Sequence, residues 1–274
     1  MRPRIIFGWA VLGSLIVPVF AWERGRWEWR DGRAATGSEA VLRVLSVGVS
    51  HYRDQPCLSY AVRDARAVAK AFRAHAEGLF SRVEVQVLTD DQANRRALLA
   101  AFQDLQRQAS PGDVTVIYYV GHAGNDEPIG FYLAPGRYHD KFWRQTMLNA
   151  TDFAHAWEAI PGRVIVLLDT CYTGALWETD EPSVEPSEPG HAEAVLAATR
   201  TKEGTKGSRF WSGDFTQVLL QALAGAADAD GDGRVTLGEL ESHLVRRVSA
   251  RREGRQHVIS VVPADLRALA VAKP

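Results

Sequence analysis

The chain has little cysteine: Cys57 and Cys171 are the only two among 274 residues. That excludes the disulfide framework on which small exported domains depend, and Cys57 reads as an ordinary packed thiol. An excess of one charge is also missing. Lys and Arg number 32 against 33 Asp and Glu, and no basic block occurs, which excludes nucleic acid as a partner. One long apolar run stands out, residues 5–21, and Gly8, Gly13, Ser14 and Pro18 interrupt it. Its basic start and the Val19-x-Ala21 before Trp22 predict a signal peptide, or a membrane anchor if it stays uncut. Trp22, Trp27 and Trp29, interleaved with Arg24, Arg26 and Arg30, then form an interfacial belt. Either way the remainder is expected outside the cytoplasm: periplasmic, secreted, or attached to the membrane through residues 5–21.

What is present is an ordinary globular composition, with 46% hydrophobic and 24% charged residues. A polar linker over residues 22–40 is followed by alternating periodicities. Strands are expected at 41–49, 83–88, 114–120, 129–133 and 163–168, and helices from Tyr60, over 94–108 and over 151–160. That order is the signature of a parallel sheet with crossover helices, an α/β sandwich of about six strands with helices on both faces. Residues 175–193, rich in Glu, Asp and Pro, form a linker that cannot bury a core. Residues 194–198 read as a further strand, 215–226 and 236–252 as helices, and 257–262 with 269–271 as an edge strand. The division expected is a large portion, 41–174, and a small one, 194–274.

The run Val164-Ile165-Val166-Leu167-Leu168 is unbroken, as in a strand buried on both faces. It ends in Asp169, Cys171 and Gly174. A second run, residues 114–120, has the same build and ends in Gly121-His122-Ala123-Gly124. Chemistry in open α/β sheets collects beyond the carboxyl ends of strands. If the two strands are neighbours, the imidazole and the thiol face each other across the sheet edge, as a Cys–His pair requires.

Asp169-Thr170-Cys171-Tyr172-Thr173-Gly174 resembles the D-x-C-x-S-G element of caspase-like cysteine peptidases, and within them the metacaspases and their bacterial relatives. Tyr118-Tyr119-Val120-Gly121-His122-Ala123-Gly124 resembles their Y-x-S-G-H-G element, with Val120 for the serine and Ala123 for the second glycine. Residues 58–65 resemble L-x-x-A-x-N-D-A, with Arg63 for Asn. The resemblance runs from about residue 41 to the end. It implies Cys171 as nucleophile, His122 as general base and acid, and the backbone N–H groups of Cys171 and Ala123 as oxyanion donors. It also implies Asp64 and Asp169 as the carboxylates of an S1 pocket for Arg or Lys. The expectation is an endopeptidase acting on peptides or proteins, with self-cleavage between residues 174 and 210 at Arg200, Lys202, Lys206 or Arg209. The alternative is a catalytically weak or inactive scaffold of the same fold that responds to calcium, suggested by Val120, Ala123 and Arg63.

A separate pattern occupies residues 228–239. Asp228, Asp230 and Asp232, then Gly233, with Glu239 at position 12 and helices on both sides, approximate the EF-hand spacing; Arg234 would offer its backbone carbonyl. Calcium is therefore the expected metal, and no organic cofactor is implied.

Overall fold

The computed structural model describes residues 39–126, 129–170, 192–200, 213–251 and 256–274. The expected signal or anchor segment, most of the 175–193 linker, Cys171 and the self-cleavage positions 202, 206 and 209 lie outside the described residues. Among the described residues no helix is long and apolar enough to cross a membrane.

The chain runs through β1 (Val41–Gly48), α1 (Ala61–His75), β2 (Arg82–Thr89), α2 (Arg95–Gln108) and β3 (Val114–Val120). A small meander follows, β4 (Ala123–Asp126), β5 (Gly130–Leu133), a helical turn α3 (Trp143–Thr146) and β6 (Leu148–Asn149). Then come α4 (Ala150–Glu158), β7 (Arg163–Asp169) and β8 (Ala192–Arg200). The last elements are α5 (Asp214–Gln221), β9 (Val235–Thr236), α6 (Leu237–Arg251), β10 (Gln256–Val261) and β11 (Ala270–Ala272).

Six strands make one sheet in the order β10-β8-β7-β3-β1-β2, parallel except for β10, which runs antiparallel to β8. The mixed α/β sheet expected from the pattern is the one observed. Helices α1, α5 and α6 pack together, and α2 packs with α4. Right-handed crossovers put α2 and α4 on the face opposite α1. The central strands β3 and β7 are buried along almost their whole length, which is why their sequences read as continuous apolar runs rather than alternations.

Three details depart from expectation. The helix expected over 215–226 ends as α5 at Gln221 and passes into a π-turn, because Gly225 takes φ 105. Of the tail, only β10 joins the main sheet; β11 pairs with β9 instead. Cys57, expected to be packed, is exposed, because the loop that carries it runs over the surface.

Two interactions fix the sheet at its ends. Gly48 allows α1 to sit against β1: a Cβ there would meet the carbonyl oxygen of Ala61 at 2.4 Å and Ala65 Cβ at 2.7 Å. At the opposite edge, buried Asp113 accepts from the Val41 N–H at 2.8 Å, the Ser110 N–H at 2.8 Å and Arg43 Nη1 at 2.5 Å. Burial alone would raise the Asp113 carboxyl, but these donors outweigh it and hold the group below the ordinary carboxylate value. Asp113→Ala should cost up to about 3–5 kcal/mol, because it leaves the buried Arg43 guanidinium only the half-exposed Glu84, at 3.3 Å, among the described carboxylates. Since the folded value is the lower one, the contribution is complete above the unfolded pKa of about 3.9 and is lost as pH falls through the folded value. Urea titrations of wild type and variant at neutral and acid pH check both statements: the gap between the two curves should narrow in acid.

Candidate active site

Strands β3 and β7 are parallel neighbours, and their register sets Val120 opposite Asp169. His122 follows Val120 by two positions, and in the sequence Cys171 follows Asp169 by two. The imidazole therefore leaves the sheet at the same edge at which β7 ends.

Several contacts hold His122. Its Nε2 lies 2.8 Å from the carbonyl oxygen of Pro56, so Nε2 carries the proton and donates, and Nδ1 keeps the lone pair. Its backbone N–H donates to the Tyr52 hydroxyl at 2.7 Å, and the Tyr52 ring lies 4.6 Å from the imidazole, tilted by 52°. The Tyr119 hydroxyl donates to the Ala134 carbonyl at 2.7 Å and reaches the His122 carbonyl at 3.3 Å. Gly121 is required by this crowding, since a Cβ there would come within 2.7 Å of both tyrosine hydroxyls. Burial pushes the imidazole below its ordinary pKa, with the Pro56 carbonyl opposing, so the ring is neutral at pH 7 and able to accept a proton.

The loop that supplies Pro56 is itself anchored. Leu58 N–H donates to the Ser50 carbonyl at 2.8 Å. Asp90, at the unusual φ of 46, accepts from the backbone N–H of Ser50 at 2.7 Å and of His51 at 3.0 Å. The orienting carbonyl was not legible in advance: it is a main-chain atom, and any residue at position 56 could supply it. Ala123 opens β4 and pairs with Leu133; it is not among the non-glycine residues at positive φ, so alanine fits there in place of glycine.

Asp64 and Asp169 are both buried, at 5% and 1% exposure, and both act electrostatically on the Tyr118 hydroxyl. Asp169 Oδ2 accepts from Thr216 Oγ1 at 2.6 Å and from the Thr216 N–H at 3.3 Å, so it caps the first turn of α5 from another strand. Thr216 Oγ1 also meets the Tyr118 hydroxyl at 2.5 Å. Asp64 sits on the inward stripe of α1 with Ala61, Ala65, Val68 and Phe72. Arg63 pairs with its Oδ1 through Nε at 3.1 Å and Nη2 at 3.0 Å, from an exposed position. Its Oδ2 is buried, and among the described residues it has no hydrogen-bond partner. A Cβ on Gly213, at the start of α5, would lie 3.8 Å from this oxygen. Burial raises the Asp64 carboxyl, with Arg63 opposing.

The EF-hand-like loop is a separate cluster. Carboxylate oxygens of Asp228, Asp230 and Asp232 converge within 4.8 Å of one another. Asp228 accepts from Gly231 N–H and Gly233 N–H, and Asp232 from the Arg234 N–H at 2.7 Å. Gly231 and Gly233 sit at φ 73 and 78, a conformation the loop can reach because neither has a side chain. Glu239 is not in that convergence. Its oxygens accept from Ala229 N–H at 2.8 Å and Thr236 N–H at 2.9 Å, and Thr236 Oγ1 accepts from the Glu239 N–H at 3.3 Å, a capping box at the start of α6. Strand β9, within this loop, pairs with β11.

No protein-family profile matches the chain, and no curated protein matches it. Among solved structures, the chain is similar to the Drosophila initiator caspase Dronc, with TM-score 0.56 and 12% identity over 85% of this chain and 83% of that one. The fold is caspase-like. A similar likeness holds to protein GSU0716 of Geobacter sulfurreducens, with TM-score 0.57 and 16% identity over 83% of this chain and 97% of that one. At these identities the likeness is one of architecture.

Proposed function

We propose that this caspase-like chain is a cysteine endopeptidase in which Cys171 attacks the scissile carbonyl and His122 moves the proton. The observation that carries the reading is the β3–β7 register: the two strands end level, and the two functional residues stand equally far beyond them in sequence. A neutral imidazole with Nε2 committed to a carbonyl offers Nδ1 to a thiol. The thiolate formed adds to the carbonyl carbon, the imidazolium protonates the departing amine, and water then releases the acyl group with His122 as base. Backbone N–H groups of Ala123 and Cys171 are the proposed oxyanion donors.

We further propose Asp64 and Asp169 as the acidic wall of an S1 pocket for Arg or Lys. The buried Asp64 Oδ2 supports it, since a carboxylate oxygen out of water is stabilised by an incoming cation. The 174–210 stretch is the proposed place of self-cleavage. Hydrolysis of an Arg-ended fluorogenic peptide by wild type, and its loss in Cys171→Ala, tests the central proposal.

A second reading, a weak or inactive scaffold, is favoured by one contact: Arg63 already pairs with Asp64. It predicts calcium binding without peptide turnover by the wild type.

The loop at 228–239 is proposed to bind calcium through Asp228, Asp230, Asp232, the Arg234 carbonyl and Glu239. All are hard oxygen donors, and the three aspartates already converge. Glu239 must give up its cap contacts to take part. Titration with calcium, followed by calorimetry, should give a single site of low affinity, and Asp228→Asn should weaken it at least about tenfold. Heat unchanged by that substitution would leave the loop a turn.

A further inference from the structure

Beside the calcium-type loop lies a cavity of about 380 Å³ whose walls come from the turn after α5, the start of the loop and one face of α6. Its polar lining is wholly basic: His243, Arg246 and Arg247. The rest is alanine, including Ala229, whose N–H is held by Glu239. Positions 243, 246, 247 and 250 fall on one side of a helix, so a single face presents the whole basic set.

Three features point to a ligand. His243 is only 4% exposed, and it lines the cavity within electrostatic reach of Arg247 and Arg246. Among the described residues neither guanidinium has a carboxylate partner, whereas Arg251 on the same helix reaches Asp214 and Gln217. The acidic groups next door are engaged elsewhere: Asp228 takes the Gly231 and Gly233 N–H groups, and Glu239 takes those of Ala229 and Thr236. Burial, and then Arg247 and Arg246, hold the His243 imidazole below its ordinary value. The ring therefore adds a neutral N–H donor to two fixed positive charges.

We propose that this cavity binds a small oxyanion, a carboxylate or phosphate group on a short apolar body, at a site separate from His122 and Cys171. Two guanidiniums that line one cavity repel each other, and a planar or tetrahedral oxyanion between them turns that repulsion into charge-assisted hydrogen bonds. The alanines exclude long side chains and leave room for a few carbon atoms. Calcium is not needed for the proposal, and neither is peptidase activity.

The test is calorimetric titration of the full chain with inorganic phosphate and, separately, with succinate, at low salt. Binding of at least one, with a dissociation constant in the millimolar range or tighter, is expected. It should weaken about tenfold or more in Arg246→Gln/Arg247→Gln, and persist unchanged in Cys171→Ala. Both arginines are exposed, so the variant should melt with the wild type; His243→Gln provides a second, independent weakening. Phosphate alone binding assigns a phosphate site, and succinate alone a carboxylate site. Neither anion binding at about 10 mM, or equal binding by the double arginine variant, overturns the proposal and leaves the peptidase reading untouched.

Discussion

Cys171→Ala should reduce hydrolysis of an Arg-ended peptide to background, and His122→Ala should lower kcat/KM by about 10²–10⁴-fold. The two losses should not add, since a thiol without its base and a base without its thiol fail at the same step. The geometry also predicts an intermediate case. The loop around Pro56 sets the imidazole through a main-chain carbonyl, so side-chain replacement at position 56 leaves that acceptor in place. Tyr52→Phe, by contrast, removes the hydroxyl that accepts from the His122 N–H at 2.7 Å. It should lower kcat more than it raises KM, since the ring is displaced and the substrate contacts are not. Steady-state kinetics on the four proteins decide this; turnover by Cys171→Ala equal to wild type would end the peptidase reading.

The second large effect concerns charge in the proposed S1 pocket. Asp169→Asn keeps an oxygen that can accept from Thr216 and so preserves the cap on α5, but it removes the negative charge. Asp64→Asn does the same for the oxygen left without a partner among the described residues. If the two buried carboxylates face a substrate guanidinium as proposed, deleting one costs about 2–5 kcal/mol. Arg63 already satisfies one side of Asp64, so that variant should fall near the lower figure, about 30-fold in kcat/KM for Arg-ended peptides. Asp169→Asn should fall further. Peptides ending in an uncharged residue should be cut no worse than before. If both variants process Arg-ended peptides at the wild-type rate and only melt earlier, the two carboxylates serve the fold and specificity lies elsewhere.

Much of the architecture could be read from the residues, because β3 and β7 are apolar without interruption and only a sheet covered on both faces accepts such strands. The helices α1 and α2 were legible for the complementary reason, a stripe at period 3.6. The meander after His122 was only partly visible: β4 is four residues long and β6 two, too short for periodicity to register. The kink at Gly225 was not legible because an isolated glycine within a helical pattern is tolerated as often as it breaks one. In the site, His122 could be named because it follows a buried strand, whereas Asp64 and Asp169 could be named only through the resemblance of residues 58–65 and 169–174 to the metacaspase motifs. What could not be foreseen was made by tertiary contact: the Pro56 carbonyl, the Thr216 cap on Asp169, and the pairing of Arg63 with Asp64. The exposure of Cys57 belongs in the same group, since a thiol's burial depends on what the fold lays over it.

Strand β8 comes after the acidic stretch in sequence, yet it lies alongside β7 over seven paired positions, with β10 beyond it. A break in the covalent chain between these two strands would therefore leave the hydrogen-bonded ladder intact. The two pieces would travel together through any native separation and part only once the sheet was denatured. Scission between β7 and β8 would leave the number of particles unchanged.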